Sequence, residues 1–200
     1  MMKDNFFTVA AASEGMYKEK GSKFMAFAYP VECEEEVKKK VTTLRKKYFD
    51  ARHHCYAWRL GADGIHYRVN DDGEPSNSAG RPILGQIDAC RLTNVLVVVV
   101  RYFGGVLLGV GGLMHAYKQA SADALAHAQI VTGTLMETYN FTFEYQDMNT
   151  LISVMKSMKL EYFVQDSNTR CIMKVRVRKS LAAQMLQRLA HIGSLTVQCL

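Results

Sequence analysis

Residues 94–112 read NVLVVVVRYFGGVLLGVGG. The first nine form a continuous apolar, β-branched run closed by Arg101, the pattern of a strand covered on both faces. Residues 103–112 then read as a glycine-rich loop, and residues 113–128 have helical composition. This junction has two readings. In one, glycines 104, 105, 109, 111 and 112 let backbone N–H groups line a concavity at a helix N-terminus, where Arg101 and Lys118 would neutralise a phosphate. In the other, the glycines only let helix pack closely on sheet. The named phosphate motifs are excluded. There is no Gly-Lys-Ser/Thr, and Met114 takes the place of the third dinucleotide-fingerprint glycine.

Upstream, residues 23–31 (KFMAFAYPV) alternate as a strand. Residues 34–48 form a helix whose stripe is Val37, Val41, Leu44 and Tyr48, with Glu34–Glu36 and Arg45–Lys47 complementing its dipole. Residues 53–60 (HHCYAWRL) and 65–70 (IHYRVN) read as a hairpin across the turn 61–64 (GADG). Residues 71–80 (DDGEPSNSAG) are too polar for core, and 83–90 suit a short helix. Downstream of a break at Gly133, the pattern changes. Residues 138–145 alternate, and Tyr139, Phe141, Phe143 and Tyr145 are expected on the face that meets helices. Helix 148–158, a hairpin of 162–165 and 169–178 about the turn 166–168, helix 181–190 and strand 195–200 complete a β-α-β-β-α-β order, the ferredoxin-like pattern. Two domains are expected, 1–135 and 136–200.

The chain has 200 residues, 48% of them hydrophobic and only three of them proline, which excludes disorder. Its charge is +6, with 17 basic and 14 acidic residues up to Met136 and 8 and 5 after it. A mildly basic chain suits an anionic partner. Five scattered cysteines without a CxxC pair argue against a disulfide framework or structural zinc and for buried thiols in a reducing cytosol. Residues 6–12 are too short for a signal h-region. Residues 92–114 carry Arg101 near their middle, at a cost of about 2.5–3.5 kcal/mol for insertion, so no membrane span is expected.

Asp71, Asp72 and Glu74 place three carboxylates ahead of Arg81. They could hold a hard cation or act as acid and base. The favoured reading is structural, as caps for the next helix or partners of Arg68, Arg81 and Arg101, since ion pairing needs no special geometry. Adjacent His53 and His54 point to opposite strand faces, so they cannot ligate one metal side by side. His53 either couples to the 71–74 loop as acid or base or, as favoured, holds it in place. Cys55 shares its face but is poorly placed as a nucleophile. In the last third, Arg170, Lys174, Arg176 and Arg178 share one strand parity. They form either a basic stripe for nucleic acid or a solvated sheet face. No aromatic alternates with them, which argues against base stacking.

Several of these runs resemble one family. Asp71-Asp72-Gly73-Glu74-Pro75-Ser76, Ala79-Gly80-Arg81-Pro82, residues 99–105 (VVRYFGG), Leu108-Gly109, Gly111-Gly112-Leu113 with Ala116-Tyr117, and residues 51–57 (ARHHCYA) are similar to the signature of the YigZ/IMPACT family over residues 15–130. The chain departs from it at Asn77-Ser78, where the family has Gly-Thr, and at His115, where it has Arg. The second change removes a fixed charge from the anion site and makes binding there pH-dependent. The resemblance implies an α+β protein whose first domain resembles domain IV of elongation factor G and whose ferredoxin-like second domain resembles domain V. Eukaryotic relatives regulate translation initiation under amino-acid starvation through protein partners. The implied role is a cytoplasmic, non-enzymatic regulator bound to ribosome, RNA or a translation-related protein, with no cofactor and no metal. The sequence assigns no oligomeric state. The alternative is a sensor or enzyme for a phosphorylated ligand or nucleotide, using the 71–81 and 104–112 loops with Asp72 or Glu74 as base or cation ligand.

Overall fold

The computed structural model describes residues 4–165 and 170–200, which form two compact units. One is Phe6–Gly133. The other combines the described residues up to Asn5 with Thr134–Leu200.

The elements of the first unit, in chain order, are β1 (Asn5–Val9), β2 (Ser13–Glu19), β3 (Ser22–Pro30), α1 (Glu34–Lys47), β4 (His53–Leu60), β5 (His66–Asn70), α2 (Gly80–Ala89), β6 (Val95–Tyr102), α3 (Gly109–Ala126) and β7 (Ile130–Thr134). Five strands make one antiparallel sheet in the order β2-β3-β6-β4-β5. The apolar run of β6 lies at its centre, and Val95 to Arg101 are all buried. Val95, Val97 and Val99 face the layer of α2 and α3. Leu96, Val98 and Val100 face α1 through Val37, Val41 and Leu44. Each buried valine or leucine contributes about 1.5–3 kcal/mol, so a strand apolar on both faces needs helices on both. Residues 6–12 enter a two-stranded ribbon of β1 with β7, which the sequence pattern did not reveal.

The helix after β6 begins four residues earlier than its composition suggests. Gly109, Gly111 and Gly112 therefore form the first turn of α3, and only Gly104 and Gly105 stay in the loop. First-turn N–H groups lack intrahelical partners in any helix, and Gly109 enters at φ +71°, a conformation that glycine takes freely.

The second unit contains β8 (Met136–Phe143), α4 (Met148–Ser157), β9 (Glu161–Gln165), β10 (Cys171–Arg178), α5 (Lys179–Leu189) and β11 (Thr196–Cys199). Its antiparallel sheet has the order β11-β8-β10-β9. Tyr139, Phe141 and Phe143 pack against Leu151, Met155, Ala182 and Met185 of the two helices. Tyr145 does not join them, because the strand ends at Phe143 and Tyr145 stands exposed in a 3₁₀ turn. The expected turn at 166–168 and Thr169 lie outside the described residues.

Candidate functional site

Arg101 falls where three strands meet in register: Phe24 of β3 lies opposite it on one side and His53 of β4 on the other. It shares the parity of Val95, Val97 and Val99, so it points into the layer of α2 and α3. The 71–81 loop arrives there because Asp71 caps α2. One carboxylate oxygen of Asp71 accepts from Ala79 N (3.0 Å) and Gly80 N (2.8 Å), the other from Asn77 N (2.9 Å). Asp72 pairs with Arg45 at 2.6 Å and accepts from His54 N at 2.7 Å. Glu74 turns inward. Its Oε1 accepts from Arg101 Nη1 at 2.6 Å and from the Tyr117 hydroxyl at 2.8 Å.

The carboxylates are therefore structural here, and Asp72 takes Arg45 of α1 rather than Arg68 or Arg81. Arg101 is not available as the expected anion clamp. Its charge is neutralised by Glu74, and its guanidinium lies over the rings of Phe24 (5.4 Å) and Phe103 (5.6 Å). Its Nε is buried with no hydrogen-bond partner. His53 donates from Nδ1 to the Asp72 carbonyl at 2.8 Å, which orients the ring with Nε2 toward Glu74 at 3.9 Å. Below them the single Cys55 S–H lies within reach of two acceptors, the Asp71 carbonyl (3.0 Å) and the Tyr117 hydroxyl (3.3 Å). Burial, first of all, pushes both the Cys55 thiol and the Tyr117 phenol far above their usual values.

The two glycine- and carboxylate-bearing loops meet. A cleft of about 440 Å³ is lined by Gly73, Glu74, Arg101, Phe103, Leu107–Leu108 and Gly109, among others. Exposed Leu107 (83%) and Val110 give it an apolar rim, broken by exposed Arg52. His115 and Lys118 are exposed on α3 and absent from this lining, because Leu113, Ala116, Tyr117 and Ala120 take the helix face that meets the sheet. The ring of His115 packs edge-on against Tyr17 at 5.7 Å. Arg81 is exposed on α2 and also outside the lining. Sequence reasoning missed Tyr117 as a site residue, although a tyrosine on a helical core stripe always needs a partner for its hydroxyl. Among the described residues, no group of three or more His, Cys, Asp or Glu is arranged to hold a metal. No helix there is long and apolar enough to cross a membrane.

The second candidate face lies on β10. Cys171, Met173, Val175 and Val177 are buried, while Lys174, Arg176 and Arg178 are exposed on the opposite side. Among the described residues none of these three has a carboxylate within ion-pair distance. Arg170 stands one residue before the strand. Along β10 no aromatic alternates with the basic residues, but one stands beside them on the neighbouring strand. Phe163 of β9 lies directly across from Lys174 and is 69% exposed.

These features define a mixed α/β protein with a buried carboxylate–guanidinium–phenol network under an apolar cleft and an open basic sheet face in a separate unit. Residues 20–125 match the family described as the Impact N-terminal domain. The chain belongs to that family. It is 31% identical to the IMPACT family member YigZ of Escherichia coli over 183 residues, 90% of each chain. It is 35% identical to the IMPACT family member YvyE of Bacillus subtilis over 144 residues, 72% of this chain and 66% of that one. A crystal structure described as that of a hypothetical protein superposes with a TM-score of 0.75 at 30% identity, covering 98% of this chain and 97% of the other.

Proposed function

We propose that this chain is a regulator associated with translation that acts by binding RNA or the ribosome through the β10 face. The observation that carries the reading is the trio Lys174, Arg176 and Arg178, which project to one side of a sheet with no carboxylate within ion-pair distance among the described residues. Glu161 of β9 stands across from Arg176 but offsets only one of the three charges, so the face keeps a net positive charge that attracts a polyanion. Binding rather than catalysis is supported by the state of the inner network. Cys55 is held as a thiol by burial, and Glu74 is occupied by Arg101 and Tyr117. The test is filter binding of RNA at two ionic strengths. Affinity should fall steeply with salt, and a Lys174→Ala, Arg176→Ala, Arg178→Ala variant should bind more weakly with a shallower slope. Salt-insensitive binding, or none, refutes it. A protein partner recovered after nuclease treatment would move the reading to a translation-related protein.

One observation favours a second reading, a small anionic ligand in the cleft: both loops line the same cavity. With Arg101 neutralised, the attraction left to it comes from exposed Arg52 in the lining and from the first-turn amides of α3. A nucleotide or sugar-phosphate that raises the melting temperature, with the shift lost in Arg52→Ala at the exposed cation of the lining, would support it.

A further inference from the structure

Phe163 has no packing role that accounts for it. On β9, Tyr162 and Val164 turn toward the helices and the core of the second unit, while Phe163 stands on the opposite face with most of its ring in water. A single exposed apolar side chain is ordinary on a protein surface; what sets Phe163 apart is its position on β9 directly across from Lys174, on the face that carries the basic residues.

The sheet register supplies its surroundings. One row across four strands runs Phe163, Lys174, Asn140, Gln198. The next runs Glu161, Arg176, Thr138, and the row on the other side Gln165, Ile172, Thr142, Thr196. A ring, two cations and a set of amides and hydroxyls thus share one flat face. A hollow of about 390 Å³ opens between them, lined by Thr138, Glu161, Tyr162, Phe163, Lys174 and Arg176. The one carboxylate of the lining, Glu161, lies opposite Arg176, so a phosphate is drawn instead toward Lys174 and Arg178.

We infer that this face binds single-stranded RNA, with one base stacked on the Phe163 ring, an adjacent phosphate held by Lys174 and the strand continuing along β10 toward Arg178. The inference rests on the RNA reading above and narrows it from nucleic acid in general to unpaired strands. A duplex hides its base faces, so it can meet the cations but not the ring. A single strand can meet both. Asn140 and Thr138, one strand further in, offer donors and acceptors to the edge of the stacked base. An acidic protein would satisfy the cations equally well, but it gives no reason for a flat aromatic set level with them.

The experiment uses the full chain and two substitutions at this exposed position, where neither disturbs the core. Phe163→Trp places an indole on the face. The native Trp58 is buried in the other unit and gives a constant background. Titration with a short oligouridylate should quench the new emission, and a duplex RNA of matched charge should not. Phe163→Ala should weaken oligouridylate binding about tenfold while duplex binding and the salt slope stay unchanged. If Phe163→Ala binds oligouridylate as tightly as the parent while Lys174→Ala and Arg178→Ala weaken it, the stacking inference falls and the RNA reading stands. If the parent binds neither RNA, or binds only duplex, the inference falls. In the first of those cases the RNA reading falls with it.

Discussion

The Arg101 guanidinium and the Glu74 carboxylate meet at 2.6 Å with side chains only 6% and 4% exposed. A pair so buried is held by mutual need. Removing either partner strands the other charge, at a cost of about 3–5 kcal/mol, whereas removing both leaves no orphan. Arg101→Met and Glu74→Gln should each lower stability by that order. The double variant should be markedly less destabilised than the sum of the two. Urea denaturation of the four proteins closes the cycle, and additive effects would show that the pair does not couple.

His54 gives the fold a pH dependence of known sign. It is buried, its Nε2 has no hydrogen-bond partner among the described residues, and burial holds its pKa below the ordinary value. Asp72 and the hydrogen bond to the Tyr48 backbone oppose that shift, while Arg45 and His53 add to it. The unfolded chain therefore takes up a proton near pH 6.5, before the folded chain does, and stability falls as pH drops below that point. The limiting slope for one such group is about 1.4 kcal/mol per pH unit. Thermal melts between pH 7.5 and 5.5 should show the loss, and His54→Phe should flatten it.

The five cysteines should separate by burial. Cys33, Cys90 and Cys199 are exposed, while Cys55 and Cys171 are buried. Native protein at mild alkaline pH should release about three equivalents with a thiol reagent and the last two only on denaturation. Fast modification of Cys55 would contradict its raised pKa and its contacts with Tyr117 and Asp71.

Legibility followed the range of the interaction. The central strand announced itself because six consecutive buried positions, Val95 to Val100, leave an unbroken apolar run. Helix α1 and strand β8 were equally plain, since each buries one periodic stripe. The β1–β7 ribbon was invisible because it joins segments more than a hundred residues apart, each too short to carry a period. The start of α3 was obscured by glycines, whose low helix propensity matters little in a first turn. At the site, local pattern revealed that the 71–74 carboxylates and nearby arginines would pair but not which with which. Arg45 was chosen by the packing of α1, Arg101 by the register of β6. Phe163 escaped for the same reason: its basic neighbours lie across a strand pair, and register is not written in either strand alone.

The loop that shapes the cleft is seated by backbone contact, and glycine substitutions should report it. Gly104 N donates to the Ser22 hydroxyl at 3.1 Å, and a Cβ at Gly104 would collide with the Gly21 carbonyl carbon and Ser22 N. Those atoms belong to the turn between β2 and β3 and to the start of β3, so they cannot swing aside as a flexible side chain would. Gly104→Ala should therefore destabilise the protein by about 1–3 kcal/mol and displace the 103–108 segment from the cleft. Gly85, in the exposed interior of α2, is the matched control. Its Cβ would meet open space, so Gly85→Ala should raise stability by about 0.5–1 kcal/mol through helix propensity alone. Opposite signs in parallel urea titrations are the expected result. A neutral Gly104→Ala would mean that the loop is not pinned to the sheet and that the cleft has no fixed wall.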